Sequence, residues 1–229
     1  MDNIIEVSYF IAAILFILGL KRMSSPVTAR GGIVWAGVGM LVATLITFFY
    51  PGMENYLLMT VAIAIGGGLA FWSGKQVAMT DMPQMIALYN GMGGGAAGAI
   101  AAVELLRGEF HSSVFLALAI AGALIGSISF SGSLVAFAKL QGWIRRPLRF
   151  PGQQYFNIGV FIIAAALGVL LLASGDFSGT VILGFFLLAL AYGIFMTLPI
   201  GGADMPVVIS LFNALTGLAV AFEGFVLGN

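Results

Sequence analysis

Eight long apolar stretches, separated by short polar breaks, run the length of this 229-residue chain. A helix of ~20 apolar residues crosses the ~30 Å core of a bilayer, so each stretch is long enough, or nearly so, to span a membrane. Soluble domains carry ~25% charged residues, whereas here 8% are charged, 61% are hydrophobic and the mean hydropathy is +1.10. We predict an all-α integral membrane protein with eight transmembrane helices at 4–20, 31–50, 56–74, 83–104, 112–137, 157–173, 179–198 and 205–226.

The same composition excludes several classes of function. The formal net charge is zero and no run of basic residues exists, which argues against nucleic-acid binding. The chain has no cysteine, so disulfide frameworks, thiolate zinc sites and cysteine nucleophiles are excluded. We predict no catalytic residue, cofactor site or metal site in this chain.

The basic residues predict how the chain is oriented in the membrane. With eight spans, Arg107 stands alone on one side, and all other basic residues fall on the opposite side: Lys21, Arg22, Arg30, Lys75, Lys139, Arg145, Arg146 and Arg149. Cytoplasmic loops carry the excess of lysine and arginine in membrane proteins. The amino terminus is therefore expected outside.

An internal similarity indicates a duplication. Residues 81–91 read DMPQMIALYNG and residues 204–214 read DMPVVISLFNA, a constant offset of 123. The shared Asp, Pro and Asn are scarce in this chain and carry the significance. We interpret the chain as a single transmembrane domain, 1–229, built from two four-helix repeats of approximately 1–106 and 107–229. Since four is an even number, the repeats insert with the same orientation and are parallel.

Each repeat has an aspartate directly before a helix. Asp81 and Asp204 can accept hydrogen bonds from free backbone N–H groups at the helix start, and Pro83 and Pro206 fit the first turn. Helix capping explains the motif fully. An added contact with a cytoplasmic partner is the alternative.

Each repeat also places an asparagine deep in a span. Asn90 and Asn213 follow their aspartates by nine residues, so each amide lies ~13 Å into the membrane. An unpaired amide in hydrocarbon costs several kcal/mol, so each must bond to another helix or to water. Two interpretations stay open: hydrogen bonds that hold helices together, or two amides that line a polar pathway.

Four serines alternate along the fifth span, at 127, 129, 131 and 133. Their hydroxyls could line a channel or bond back to their own helix. In the fourth span, the run from Gly93 to Gly98 matches GxGxxG, but it lies inside an apolar span. Its glycine spacing is typical of close helix packing and does not indicate a nucleotide site.

No carboxylate or imidazole falls at the middle of a span. Glu6, Glu104, Glu223 and His111 are all expected near the outer surface. If the protein moves protons, the carrier at mid-depth must therefore be water held by the amides, or a group from another chain.

Three segments carry a family resemblance. MTDMPQMIALYNGMGGGAAG (79–98), SGSLVAFAKLQG (131–142) and IGGADMPVVISLFNALTG (200–217) resemble the membrane domain of the beta subunit of proton-translocating NAD(P) transhydrogenase. The resemblance implies a bacterial inner-membrane protein. In that family, proton passage through this domain and alpha-subunit helices is coupled to hydride transfer from NADH to NADP+. The transfer takes place in cytoplasmic NAD- and NADP-binding domains, and we expect a homodimer of the complete assembly.

The resemblance also implies roles for single residues. Asn213 matches a mid-membrane asparagine of the pathway, and Asp204 matches a loop aspartate that communicates with the NADP-binding domain. Asn90 departs from the family, since many members have a proton-relaying histidine there and others place it on an alpha-subunit helix. The predicted proton pathway is Asn90, Asn213 and Ser129, with Asp81 and Asp204 coupling it to the NADP domain.

A second departure concerns length. The family's chain continues through one more helix into an NADP-binding Rossmann domain, whereas this sequence stops at Asn229. We therefore expect a membrane domain without its nucleotide site. The alternatives are a secondary transporter of a small solute and a structural subunit in which the two asparagines only join helices.

Overall fold

The computed structural model describes residues 2–175 and 177–228, and this part of the chain contains helices and no strand. Eight α-helices, each long and apolar enough to cross a membrane, account for most of it. In chain order they are α1 (Asp2–Met23), α2 (Ala29–Thr47), α3 (Tyr56–Gln76), α4 (Met82–Arg107), α5 (Ser113–Leu140), α6 (Gln153–Ser174), α7 (Gly179–Thr197) and α8 (Met205–Val226). The predicted all-α membrane architecture with eight spans is confirmed.

Glycines in the left-handed region end two of the helices. Gly108, at φ 68°, follows α4, and Gly175, at φ 62°, follows α6. A residue without Cβ adopts this conformation at little cost, which lets its N–H bond back to a carbonyl of the last turn. The N–H of Gly108 bonds to the carbonyl of Glu104, for example. Local backbone chemistry thus fixes these boundaries close to where the sequence predicted them.

The chain divides into two compact units, Met1–Gln76 and Val77–Asn229. In the first, α1 packs on α2, and small residues let the two backbones approach. A Cβ added at Gly19 would lie 2.9 Å from the carbonyl oxygen of Gly32. The hydroxyls of Tyr9 and Thr47 also join the two helices, at 3.0 Å. α3 has no buried residue in the structure.

The second unit is built around α5, which packs against α4, α6, α7 and α8. Its contact with α4 is especially close, because glycines face each other. A Cβ added at Gly126 would lie 2.7 Å from the Gly94 carbonyl oxygen and 2.9 Å from the Gly98 nitrogen. Most of the buried side chains of α5 are alanine and serine. Such small residues allow several helices to surround one.

The two DMP motifs adopt the same local structure. A 3-10 turn at Met79–Asp81 leads into α4, and another at Gly202–Asp204 leads into α8, at the predicted offset of 123. The preceding residues have nearly equal backbone angles: φ −68° and ψ 152° at Ala78, φ −70° and ψ 153° at Gly201. This likeness concerns the helix starts alone. The two four-helix repeats and the single domain stay predictions, and Met1, Asp176 and Asn229 of their ranges lie outside the described residues.

Candidate functional site

Asn90 is buried in the second unit and bonds to two serines of α5. Its side chain is 9% exposed. The amide nitrogen Nδ2 donates to Ser133 Oγ at 2.9 Å and to Ser129 Oγ at 3.3 Å. Because the serines are four residues apart, both hydroxyls lie on one face of α5 and a single amide reaches them. The sequence expectation that Asn90 must bond to another helix or to water is met by a neighbouring helix.

Ser129 continues this network to a third helix. Its hydroxyl lies 3.1 Å from the carbonyl oxygen of Phe212 and also contacts the hydroxyl of Thr216, both on α8. Ser129, Ser133 and Thr216 are all buried. Together with Asn90 they form what we call the polar cluster, a hydrogen-bonded connection between α4, α5 and α8 inside an apolar bundle.

The hydroxyls give the polar cluster a chemical property that an amide alone lacks. A serine or threonine hydroxyl both donates and accepts, and its hydrogen rotates to suit its partner. The bond between Ser129 and Thr216 can run in either direction. This bond can therefore reverse its donor and acceptor without moving a heavy atom, as the passage of a proton requires, whereas the Asn90 NH2 group only donates and the Phe212 carbonyl only accepts.

Of the four serines of α5, the structure shows back-bonding for Ser131 and bonds across helices for Ser129 and Ser133. The hydroxyl of Ser131 bonds back to the carbonyl of Ser127 at 3.1 Å, within its own helix. Ser129 and Ser133 instead bond across helices. Ser127 also faces α4, since a Cβ added at Gly98 would lie 3.2 Å from its hydroxyl oxygen.

Asn213 does not join the polar cluster. Its side chain is exposed, and its amide makes no hydrogen bond within the described part of the chain. Asn213 lies one residue from Phe212 and three from Thr216, both of which are buried residues of α8. The structure therefore buries one of the two predicted amides and leaves the other on the surface of the second unit.

A layer of apolar side chains separates the polar cluster from the end of the bundle where Asp81 and Asp204 lie, which we call the aspartate end. This apolar layer consists of four buried residues from α4, α5 and α8: Ala87, Ala136, Met205 and Ile209. Ala87 is one helical turn from Asn90, and Ala136 is one turn from Ser133. Among the described residues, the hydrogen bonds of the cluster and those of Asp81 share no residue.

Asp81 and Asp204 occupy the N-cap positions of α4 and α8, with Pro83 and Pro206 in the first turns, as predicted. The capping expectation is corrected in one respect, because neither side chain makes a cap hydrogen bond. The 3-10 turn before each helix already folds the backbone onto itself, with the Asp81 N–H bonded to the Ala78 carbonyl. Both aspartates are exposed, so their carboxylates face the surface.

Two basic residues hold the segment that leads to Asp204. The buried Lys139 donates from Nζ to the carbonyls of Leu198, at 2.6 Å, and Ile200, at 2.8 Å. Arg149 donates from Nε to the Pro199 carbonyl at 3.0 Å. A cation at these carbonyls also meets the negative end of the α7 dipole. The residues before the second DMP motif are thereby tied to the end of α5.

Comparison with known proteins decides the family. Residues 5–229 match the family described as NAD(P) transhydrogenase beta subunit. Two relatives, both named NAD(P) transhydrogenase subunit beta and both from Rhodospirillum rubrum, one of them from a specified strain, are 39% identical over 232 residues. The match covers 97% of this chain and 49% of each relative. The chain belongs to the NAD(P) transhydrogenase beta-subunit family. It spans about half the length of these curated relatives, and with its eight spans it is a multi-pass membrane protein.

A substitution at Lys139 tests how strongly this residue stabilises the segment that leads to Asp204. Replacing it with methionine keeps the aliphatic chain but removes two hydrogen bonds to the carbonyls after α7. Bonds to charged groups contribute ~1.5–3 kcal/mol each, so Lys139→Met should lower stability by about 3 kcal/mol. The measurement is the apparent thermal unfolding midpoint in detergent. Arg145→Met is the matched control, since Arg145 is exposed and bonds within its own turn; equal midpoints would contradict the prediction.

Sequence reasoning missed Thr216 and Lys139 as members of the site, and it named Ser133 only as one of four serines that could line a channel. A signal for Thr216 was present, because the buried face of α8 recurs every three or four residues: Met205, Ile209, Phe212, Thr216, Ala219 and Glu223. That spacing includes Thr216 and omits Asn213. It was hard to see because the exposed face of α8 is also apolar, as in most membrane helices, so hydrophobicity does not distinguish the two sides.

Proposed function

We propose that this chain is the proton-translocating membrane part of an NAD(P) transhydrogenase. In the complete enzyme, proton movement across the membrane is coupled to hydride transfer from NADH to NADP+ in partner soluble domains. Family membership over nearly the whole chain supports the proposal. The eight spans supply the membrane barrier across which a proton gradient acts.

The polar cluster is the observation that carries the proposal. Asn90, Ser129, Ser133 and Thr216 place an amide and three hydroxyls inside a bundle whose other contacts are mainly apolar. Polar groups inside a membrane are costly and are retained chiefly where they do a task. This network joins three helices through hydroxyls that can both donate and accept.

The proposed pathway runs through Asn90, Ser129 and Asn213. None of these groups titrates, so water or a histidine of an alpha-subunit helix carries the proton between them. The exposed position of Asn213 on α8 supports a partner helix there, because an amide facing lipid without a hydrogen bond costs several kcal/mol. In this arrangement the partner helix completes the pathway between the two amides.

The apolar layer acts as the inner gate of the proposed pathway. It lies between the polar cluster and the aspartate end, where water would have to pass. Asp81 and Asp204 stand at the starts of the two helices that contribute most of the layer, and their carboxylates are free of capping bonds. A change in the NADP domain that pulls on these aspartates would shift α4 and α8 and open the layer. In this proposal each aspartate belongs to one of the two parallel repeats, approximately 1–106 and 107–229, of a single transmembrane domain.

The remaining parts of the proposal concern location and partners. The chain lies in a bacterial inner membrane with its amino terminus outside and its aspartate end in the cytoplasm, as the distribution of basic residues supports. Its partners are the alpha-subunit helices and the NAD- and NADP-binding domains, which hold NAD(H) and NADP(H). The complete assembly forms a homodimer.

Asn213→Leu tests the proposal in the complete enzyme reconstituted into vesicles. Leucine keeps the size of the side chain but cannot hydrogen-bond to water or to a partner imidazole. We expect assembly to persist, because Asn213 makes no hydrogen bond within the described part of this chain. Coupled proton movement should fall by about 100-fold, as when a proton-transfer group is lost. A pH-sensitive dye inside the vesicles measures pumping, and detergent chromatography measures assembly.

The matched control is Asn3→Leu, the same exchange at an exposed asparagine of α1. It should leave pumping at the wild-type level. Wild-type vesicles that show hydride transfer without acidification would contradict the proposed function itself. Normal pumping by Asn213→Leu would remove Asn213 from the pathway.

A further inference from the structure

Glu223 is a buried acid that the proposed pathway does not use. Its side chain is 2% exposed, among the most buried large side chains of the structure. Neither carboxylate oxygen has a hydrogen-bond partner among the described residues. The sequence placed Glu223 near the outer surface because it stands late in α8, but the structure turns it into the helix bundle.

The packing around Glu223 depends on a glycine. The carboxyl group lies against Gly122 of α5, where an added Cβ would come within 3.0 Å of the carboxyl carbon and would overlap Oε1. The absence of a side chain at Gly122 provides the volume that the acid occupies. The stacked rings of Phe115 and Phe225, with centroids 5.3 Å apart, join the same two helices one half-turn further along α8.

Few charged groups face this acid from the helices around it. On α4, Glu104 is the acid that acts on it electrostatically, and Glu104 is itself paired with Arg107 at 3.1 Å. On α5, the one charged residue is Lys139, at the aspartate end, and α8 has no other titratable side chain. No cation described in these three helices therefore neutralises Glu223.

An ionised carboxylate in this position would be very costly. Burying an unpaired charge costs so much that such groups are paired or become neutral. Acids inside membrane proteins are rare and mark ion or proton pathways. A carboxyl group without a partner, enclosed among apolar neighbours, therefore exists there as the protonated acid for much of its time and can exchange that proton.

Glu223 also lies in line with the polar cluster. It follows Thr216 by seven residues, two turns of α8 on the same buried face, or ~10.5 Å along the helix axis. On α5, Gly122 precedes Ser129 by the same seven residues. The acid and the cluster thus occupy one interface between α5 and α8, with Glu223 at the end remote from Asp81 and Asp204.

We propose that Glu223 is the proton-exchanging carboxyl group on the outer half of the pathway. The inference rests on the proposed function. In each cycle the carboxylate accepts a proton from a hydronium ion at the outer side, which forms its O–H bond and leaves a water molecule there. It later gives that proton to a water molecule on the path to Thr216, which becomes a hydronium ion, and the carboxylate is restored. The proton then reaches the polar cluster and, beyond it, the inner gate.

Glu223→Gln in the complete enzyme, reconstituted into vesicles, tests the proposal. Glutamine preserves shape and polarity but cannot exchange a proton. Proton pumping and the hydride transfer coupled to it should fall about 100-fold, while binding of NADP(H), read by nucleotide fluorescence, should stay unchanged. Glu223→Asp should retain part of the pumping with a displaced pH profile, a result that a purely structural role would not produce.

Glu6→Gln is the matched control, because it makes the same exchange at an exposed acid of α1 that the proposed pathway does not use. Pumping by this variant should stay near the wild-type level. If wild-type and Glu223→Gln vesicles pump equally, the role of Glu223 is overturned while the proposed function stands. If the wild type does not pump, the proposed function itself fails.

Infrared spectroscopy of the wild-type enzyme gives a measurement that does not depend on a variant's folding. A band from a protonated carboxylic acid should be present at neutral pH and disappear as the pH is raised. Exchange into heavy water should shift it, and it should be missing from Glu223→Gln. Absence of a protonated carboxyl band in the wild type at neutral pH would overturn the proposal.

Discussion

Replacing Asn90 with leucine is expected to abolish proton pumping by the complete enzyme. The substitution removes the amide that joins α4 to Ser129 and Ser133 and leaves their hydroxyls without this donor. Leucine also extends the apolar layer by one turn, from Ala87 towards Thr216. We expect pumping to fall about 100-fold or more, because a proton cannot pass a dry apolar segment.

The Asn90→Leu experiment separates function from stability. Leaving the buried Ser133 hydroxyl without its Asn90 donor costs about 1–3 kcal/mol, so the unfolding midpoint in detergent should fall moderately while folded enzyme is still recovered. Pumping into vesicles is then normalised to the amount of folded enzyme.

Asn157→Leu is the matched control for this experiment. Asn157 is an amide in α6 that bonds to the Phe195 carbonyl at 3.3 Å, away from the polar cluster. Loss of this amide should lower the unfolding midpoint in detergent without reducing proton pumping. Equal pumping defects in the two variants would show that any lost membrane amide disables the enzyme, and would contradict a specific pathway through Asn90.

Gly126→Val is expected to cause the largest loss of stability in the second unit. The valine Cβ would stand 2.7 Å from the Gly94 carbonyl oxygen and 2.9 Å from the Gly98 nitrogen, both backbone atoms that cannot rotate away. α4 and α5 would have to separate along their closest contact, and Asn90 would lose its distance to Ser133. Overpacking of this kind costs roughly 3 kcal/mol or more, a large share of the stability of a typical protein.

Gly159→Val is the control for Gly126→Val. Gly159 is also in a membrane helix, α6, but a Cβ there would meet no atom within 4 Å. The yield of folded protein and the apparent unfolding midpoint in detergent measure both variants. We expect loss of folded protein for Gly126→Val and a midpoint near the wild type for Gly159→Val; similar midpoints would show that the two helices can part at little cost.

The sequence predicted those features of the candidate site that depend on one helix at a time. It placed Asp81 and Asp204 at helix starts, and both occupy N-cap positions. It placed Asn90 deep in a span with a need for hydrogen bonds, and the structure supplies them from α5. It did not predict which partner residues would be used, because Ser133 and Thr216 come from helices far away in the chain.

The same limit explains Asn213 and Glu223. Both were judged by depth along α8, which the sequence gives directly at ~1.5 Å per residue. Their surroundings depend on which face of α8 turns towards α5, and that rotation places Asn213 on the surface and Glu223 against Gly122. Depth and rotation are independent properties of a helix, so a correct value for one carried no information about the other.

The sequence by itself determined the fold class, the eight spans and the family. A bilayer demands that every backbone group bond within its own helix and that each helix carry ~20 apolar residues, and both requirements are local. The tertiary structure alone decided which polar groups meet. In a helix that is apolar on all sides, close packing of small residues such as Gly94, Gly122 and Gly126 sets the rotation, and that packing involves residues from separate helices.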